Sequence, residues 1–173
     1  MKEKSNLILK DFTPRMVSKE YVNWMNNYEI TKYTEQKYTK HTMASIKKFV
    51  AEKKKSKNEF LYGIFYKKNN NYIHYGTIKI GPINLIHKYA YISYVIGNKK
   101  NMNLGIATKS IKQILIIAKK KFKLKKILAG CYSNNIPSYK VLVKNNFKKE
   151  GRFTKMYKFE KKRIDRLVYS KLI

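Results

Sequence analysis

A net charge of +30, carried by 40 basic residues of which only four are Arg, points away from base readout and toward attraction of small anions, so nucleic acid is not an expected partner. At 173 residues and 43% hydrophobic content the chain suffices for one domain over 1–173; no apolar run reaches membrane-spanning length and no signal-type segment follows Met1, so a cytoplasmic protein without a membrane partner is expected. The lone Cys131 excludes an intrachain disulfide and a multi-cysteine metal site, and no metal is expected.

In chain order, Leu7–Phe12 alternates as a first strand that Pro14 ends. Ser18 is placed to cap a helix carrying Tyr21, Val22, Trp24, Met25 and Tyr28. Residues 26–40 show no clean period and are crowded with Tyr, Thr and Glu. Thr42 then caps a helix to about Lys55, with Ile46, Phe49 and Val50 as its apolar stripe. Glu59–Tyr66 and Tyr72–Ile80 read as a hairpin around the polar break at 67–71. Gly81-Pro82 is expected to start a connection, INLIHK, into a strand at Tyr89–Ile96. After a strand at Lys126–Tyr132, Asn134 or Asn135 caps another helix, with Pro137 suited to its first turn. Phe147–Phe159 and Arg163–Leu172 close the chain as a strand pair joined near Glu160-Lys161-Lys162. The fold class predicted is α/β: a mixed, mostly antiparallel sheet of about six or seven strands with helices on both faces.

The most informative stretch is 91–108, YISYVIGNKKNMNLGIAT. An apolar strand ends at Gly97, a polar loop covers 98–103, and a helical period follows through Ala107, Ile111, Ile114, Ala118 and Phe122. A helix that starts beside a strand end leaves backbone N–H groups free with the positive dipole end behind them, which suits a phosphate. Gly105 and Ala107 keep that first turn small. It is no Walker A loop: Lys109-Ser110 would need Gly at 103 and 108, where the chain has Asn103 and Thr108.

The segment Met102-Asn103-Leu104-Gly105-Ile106-Ala107 resembles the donor-binding loop of the GNAT acetyltransferases, Arg/Gln-x-x-Gly-x-Gly/Ala. Some thirty residues on, CYSNNIPSYKVLVKNNFKKEG resembles the family's next strand and helix, with Asn135, Ser138, Leu142, Lys144, Phe147, Glu150 and Gly151 in place. LILKDF and WMNNYEITKYTE also match GNAT sub-families, among them the RimJ/RimL-like enzymes. The resemblance implies acetyl-CoA as acetyl donor. Its pyrophosphate would lie on the amides of Met102, Asn103, Leu104, Gly105, Ile106, Ala107 and Thr108. The pantetheine would run beside Tyr94, Val95 and Ile96, with Asn135 and Ser138 at the thioester end. Two departures stand out: Met102 and Asn103 replace Arg/Gln and Gly in the loop, and Leu142 occupies the position where many relatives have a general-acid Tyr.

The resemblance also makes residues 26–40 an acceptor-facing lid, and INLIHKYAYISY resembles relatives that acetylate nucleotide-linked amino sugars in surface-glycan pathways. An anionic, nucleotide-linked small-molecule amine is therefore the expected acceptor, with a protein N-terminus or an antibiotic as the alternative. A non-catalytic acetyl-CoA or nucleic-acid binder is a third. His87, His74, Glu29 and Glu35 are the titratable candidates for proton acceptance, His87 first because an imidazole titrates near neutral pH. Ser138 and Tyr139 are the candidates for the thiolate side. The expected catalytic set is thus His87, Glu29, Ser138 and Tyr139. A homodimer through a sheet edge near the C-terminal strands completes the expectation.

Overall fold

The computed structural model describes residues 6–69, 71–97 and 104–173. Seven strands form one sheet in the order β1 (Leu7–Asp11), β2 (Phe60–Lys68), β3 (Asn71–Asn84), β4 (Tyr89–Ile96), β5 (Lys126–Tyr132), β7 (Lys162–Leu172), β6 (Lys148–Phe159). Every neighbouring pair is antiparallel except β4–β5. The single parallel pair divides the sheet into an N-terminal meander and a C-terminal unit that ends in the β6–β7 hairpin.

The five α-helices begin where the sequence offers acceptors for their free amides, with one exception. Ser18 caps α1 (Lys19–Asn26), Asn27 caps α2 (Tyr28–Thr31), Thr42 caps α3 (Met43–Lys55) through a reciprocal box with Ser45, and Asn135 caps α5 (Ile136–Lys144). The exception is α4 (Ile106–Lys120), whose N-cap is Gly105 in the left-handed conformation at φ 70° and which has no side-chain cap.

Alternation along β4 sends successive side chains to opposite cores. Ala90 and Ile92 join Ile106, Ile111, Ile114 and Ala118 of α4, with Tyr94 and Ile96 packed against that same core. Val95 instead meets the second core, built from Phe12, Tyr21, Trp24, Ile46 and Val50 under α1 and α3. Helices thus cover both faces, as the sequence predicts.

One boundary differs from expectation. β3 does not stop at Ile80 but runs to Asn84, and the turn to β4 falls at 85–88. The strand passes Gly81-Pro82 through a bulge: register with β4 slips between Ile80 and Ile83, and the Ile83 N–H turns to donate to Asn58 O at 2.8 Å. A proline interrupts the ladder, yet pairing resumes beyond it.

Gly97, directly after β4, has its N–H on Tyr75 O at 2.8 Å, and a Cβ there would overlap the ring of Trp24. Gly97→Ala is therefore expected to cost about 2 kcal/mol of stability by overpacking, read as a lower urea midpoint. Adding Trp24→Leu should then cost the alanine variant less than it costs wild type. Equal costs in both backgrounds would mean that the ring and the glycine are not coupled.

Candidate donor and acceptor site at the β4–β5 divergence

The parallel ladder of β4 and β5 covers only Tyr89–Ile92 against Lys126–Ala129. Beyond it, Ser93–Ile96 and Gly130–Tyr132 are not paired with each other, although each stays in register with its outer neighbour, β3 or β7. The two carboxyl ends therefore diverge and leave a slot whose walls carry backbone polar groups without a ladder partner between them. Carboxyl ends of parallel strands are where α/β sheets bind ligands.

Two helix starts and an aromatic wall surround this end of the sheet. The uncapped one is α4: the first intrahelical bond is Lys109 N–H to Gly105 O at 2.9 Å, so the amides of Ile106, Ala107 and Thr108 precede the helical ladder. Among the described residues no atom lies within 4 Å of where a Cβ on Gly105 would stand. Free amides, a positive dipole end and an open approach make an anion cradle. Met102 and Asn103 lie outside the described residues.

At α5, Asn135 Oδ1 accepts from the Ser138 N–H at 3.3 Å, and Ser138 Oγ lies 3.2 Å from Tyr94 Oη. This contact ties α5 to β4 across the divergence. Burial pushes the Tyr94 hydroxyl up to about 12, against the smaller opposing effect of Ser138, so the group keeps its proton at neutral pH. Tyr139, the next residue of α5, packs against the main core, and Leu142 lies wholly inside it at 1% exposure. Cys131 is buried in that core as well, and burial lifts its thiol to about 11, which removes it as a neutral-pH nucleophile.

The third wall joins residues far apart in sequence. Tyr33, just after α2, stacks on Phe159 of β6 at 5.1 Å and meets Tyr132 of β5 edge-on at 5.8 Å. Tyr132 also stacks on Tyr157 at 4.1 Å. The Lys37 ammonium sits over Tyr132 and Phe159 at 4.9 and 5.2 Å and donates to the carbonyls of Lys32 and Lys158 at 3.0 and 3.2 Å. Tyr28 and Tyr38 bond Glu160 and Lys158 O. The 26–40 segment is thereby fastened to the β6–β7 hairpin. Beside this wall is a cavity of about 290 Å³ lined by Asn26, Tyr28, Gln36, Lys37, Tyr38 and Lys40 among others, with no carboxylate in the lining among the described residues.

The titratable candidates separate. Glu35 accepts from the buried Tyr132 hydroxyl at 3.3 Å, which holds its carboxylate at the wall; burial first, and then Glu35, pushes that hydroxyl far above its ordinary range. Glu29 is engaged by Lys32 at 3.1 Å, one turn along α2. His74 is enclosed by Phe12, Phe65, Tyr21 and Trp24 in the second core. His87 stands in the exposed turn before Tyr89, at the opposite end of β4 from the slot, roughly 23 Å away at about 3.3 Å per residue. The structure thus brings together Tyr94, Val95, Ile96, Leu104–Thr108, Asn135 and Ser138, and leaves His87 apart from them. The strand direction explains this: a residue that precedes a strand lies at its amino end, whereas the slot opens at the carboxyl ends.

The acetyltransferase (GNAT) domain family matches residues 6–148. The chain belongs to the GNAT acetyltransferases. These are the acetyl-CoA-dependent N-acyltransferases that the loop and α5 motifs resemble. An uncharacterized N-acetyltransferase of Bacillus subtilis, YnaD, is 35% identical over 79 residues, 44% of this chain and 46% of that protein, so the match spans less than half of that relative. The spermidine N-acetyltransferase of Vibrio cholerae, solved with CoA and spermine, superposes at a TM-score of 0.83 over 98% of this chain and 96% of its own, at 18% identity. RimL, a ribosomal L7/L12 α-N-protein acetyltransferase solved with coenzyme A, superposes at 0.84 over 96% and 94%, at 19% identity. At such identities the structural likeness is one of fold, and this GNAT fold is the mixed sheet with helices on both faces described above.

Proposed function

We propose that the protein transfers acetyl from acetyl-CoA to the primary amine of a small anionic acceptor, a nucleotide-linked amino sugar. The observation that carries the donor half is the uncapped start of α4 beside the diverging strands. In this reading the amides of Leu104–Thr108 hold the pyrophosphate, and the edge of β4 from Tyr94 to Ile96 hydrogen-bonds the pantetheine as a third strand would. An edge N–H near Ile96 polarises the thioester carbonyl. Tyr94 and Ser138, linked at 3.2 Å, supply the proton that the departing thiolate takes up, with Tyr139 one residue on as the second candidate.

The acceptor half rests on the wall and cavity beside the slot. Amide, hydroxyl and Tyr groups with Lys37 and Lys40 and no carboxylate suit a polyol carrying an anion. Carboxylates stand only at the margins, Glu160 on Tyr28 and Glu35 on Tyr132, and none lines the cavity among the described residues, which disfavours a polyamine spread along it. Of the two lid carboxylates, Glu35 replaces Glu29 as the group that receives the acceptor's ammonium and takes up, through water, the proton the amine gives up before it attacks, because Tyr132 holds Glu35 at the wall while Glu29 is paired with Lys32. His87 has no part in the transfer on this reading. The free edge of β6 is where a homodimer contact would form.

Thiol release from acetyl-CoA against UDP- and dTDP-linked amino sugars, free amino sugars, peptides and polyamines tests this reading. Turnover confined to nucleotide-linked amino sugars is the expected result; turnover with peptides or polyamines alone overturns the acceptor half, and no acetyl-CoA binding overturns the donor half. With the acceptor found, Ser138→Ala is expected to lower kcat at least about tenfold with CoA affinity nearly unchanged. Tyr94→Phe and the double variant should lose no more than Ser138→Ala does, since the two hydroxyls act as one relay.

A further inference from the structure

At the pole opposite the slot, the turn before β4, the loop between α4 and β5, and the end of β7 enclose a second concavity of about 540 Å³. Its lining includes Lys88, Lys119, Lys120, Lys123 and Lys125, all exposed at their tips over a floor made by Leu124, which is itself 1% exposed. Ile173 completes it, and among the described residues no Asp or Glu side chain lines it.

We propose that this basin binds a phosphate chain, carried either by an inorganic oligophosphate or by the polyphosphate end of a nucleotide. Four observations converge on that ligand. First, among the described residues none of the five ammonium groups has an ion-pair partner; the bridge nearest in sequence, at 2.7 Å, uses Lys126 with Glu150 instead. Five like charges line one concavity, so a polyanion relieves their repulsion as well as pairing with them. Second, the lysines are not needed to finish α4. The carbonyls of Ile117 and Ala118 already accept from the N–H groups of Lys121 and Leu124 at 2.8 and 3.1 Å.

Third, the frame is fixed. Lys88 O accepts from the N–H groups of Lys125 and Lys126 at 2.7 and 3.2 Å, and the Ile173 N–H donates to Lys125 O at 2.9 Å. Three chain segments are thus bound together beneath the side chains. Lys88 and Lys123 both adopt the left-handed conformation, at φ 55° and 54°, where Gly or Asn costs less. Fourth, among the described residues the lining has neither an aromatic ring to stack a base nor an amide or carboxylate side chain to read one. Charge without base recognition selects the phosphate chain itself. The basin and the α4 anion cradle stand at opposite ends of the sheet, so this inference does not depend on the proposed acetyl transfer.

The test is calorimetric titration of the full chain with tripolyphosphate at about 0.1 M salt, with CoA present at saturation to fill the donor site. One-site binding is expected. Lys119→Glu/Lys120→Glu/Lys123→Glu should weaken it at least about tenfold, whereas Lys47→Glu/Lys48→Glu/Lys54→Glu on α3 should leave it within about twofold. Equal losses in both triples would show diffuse charge, and abolition of binding by CoA would show the donor site; either overturns the proposal. ATP binding as tightly as tripolyphosphate assigns the site to the phosphate chain whichever molecule carries it, while ATP binding without tripolyphosphate binding overturns it. If CoA itself fails to bind, the acetyl-transfer reading falls, and titration of the free protein still decides this one.

Discussion

Replacing Ala107 by Glu is expected to weaken CoA binding about a hundredfold while leaving the fold at least as stable. Ala107 is the second residue of α4, half-buried at the helix start that lacks a side-chain cap. A carboxylate there sits within the positive end of the dipole, which favours it by a few tenths of a kcal/mol or more. The same carboxylate occupies the cradle that the proposal gives to the pyrophosphate. At about 5 Å and an effective dielectric near 20, two like charges repel by about 3 kcal/mol, which is the hundredfold. Ala107→Gln, similar in size and neutral, should lose far less. Calorimetry with CoA and thermal denaturation read the two effects separately. Unchanged CoA affinity in a folded Ala107→Glu protein would place the anion elsewhere, and equal losses for Glu and Gln would reduce the effect to bulk.

What could be read from the sequence was what is local. Caps at Ser18, Thr42 and Asn135 act within three residues, and each forms as its chemistry dictates. The residues of the proposed donor side lie together for the same reason: strand end and helix start are near in sequence, and α5 brings Ser138 with its own cap. The contacts of the proposed acceptor wall were not legible beyond the 26–40 segment itself. Tyr33 and Phe159, or Tyr28 and Glu160, are separated by well over a hundred residues, and no period or motif announces that a hairpin near the C-terminus will fasten the 26–40 segment. A signal was available for His87, however. Its place just before β4 puts it at the amino end of the strand, and direction alone separates it from a slot at the carboxyl ends. The departure at Leu142 also gains a meaning only in three dimensions. It is a filled core position, so packing takes the place of a Tyr hydroxyl at that point, and the proposal gives the proton-donor role to Tyr94 on β4.

The aromatic enclosure of His74 gives the second large effect, and it concerns stability. Nε2 lies 2.8 Å from Gly76 O, an acceptor only, so the ring carries its proton there. Nδ1 is buried with no partner among the described residues. Phe12 and Phe65 stack on the ring at 5.0 and 4.9 Å. A second proton would have to be placed on Nδ1 with nothing to accept it, inside an apolar shell. Burial accordingly lowers the imidazole from 6.5 to about 4, with the Gly76 bond opposing more weakly. Above pH 6.5 the ring is neutral in both the folded and the unfolded chain, and His74 imposes no penalty. As pH falls from 6.5 toward 4, the unfolded chain binds a proton that the folded one refuses, so stability is lost across that window, by about 3 kcal/mol in full. Below about 4 the folded ring charges too and the loss levels off. His74→Phe removes the titration along with one hydrogen bond, so it should start less stable at pH 7 and then lose about 3 kcal/mol less than wild type on going to pH 4. Urea unfolding at both pH values gives that difference directly, and carboxylates such as Glu59 cancel because both proteins carry them. The same decline in both proteins would mean that the shell opens to let the ring charge, and that His74 is not the acid-sensitive point of this fold.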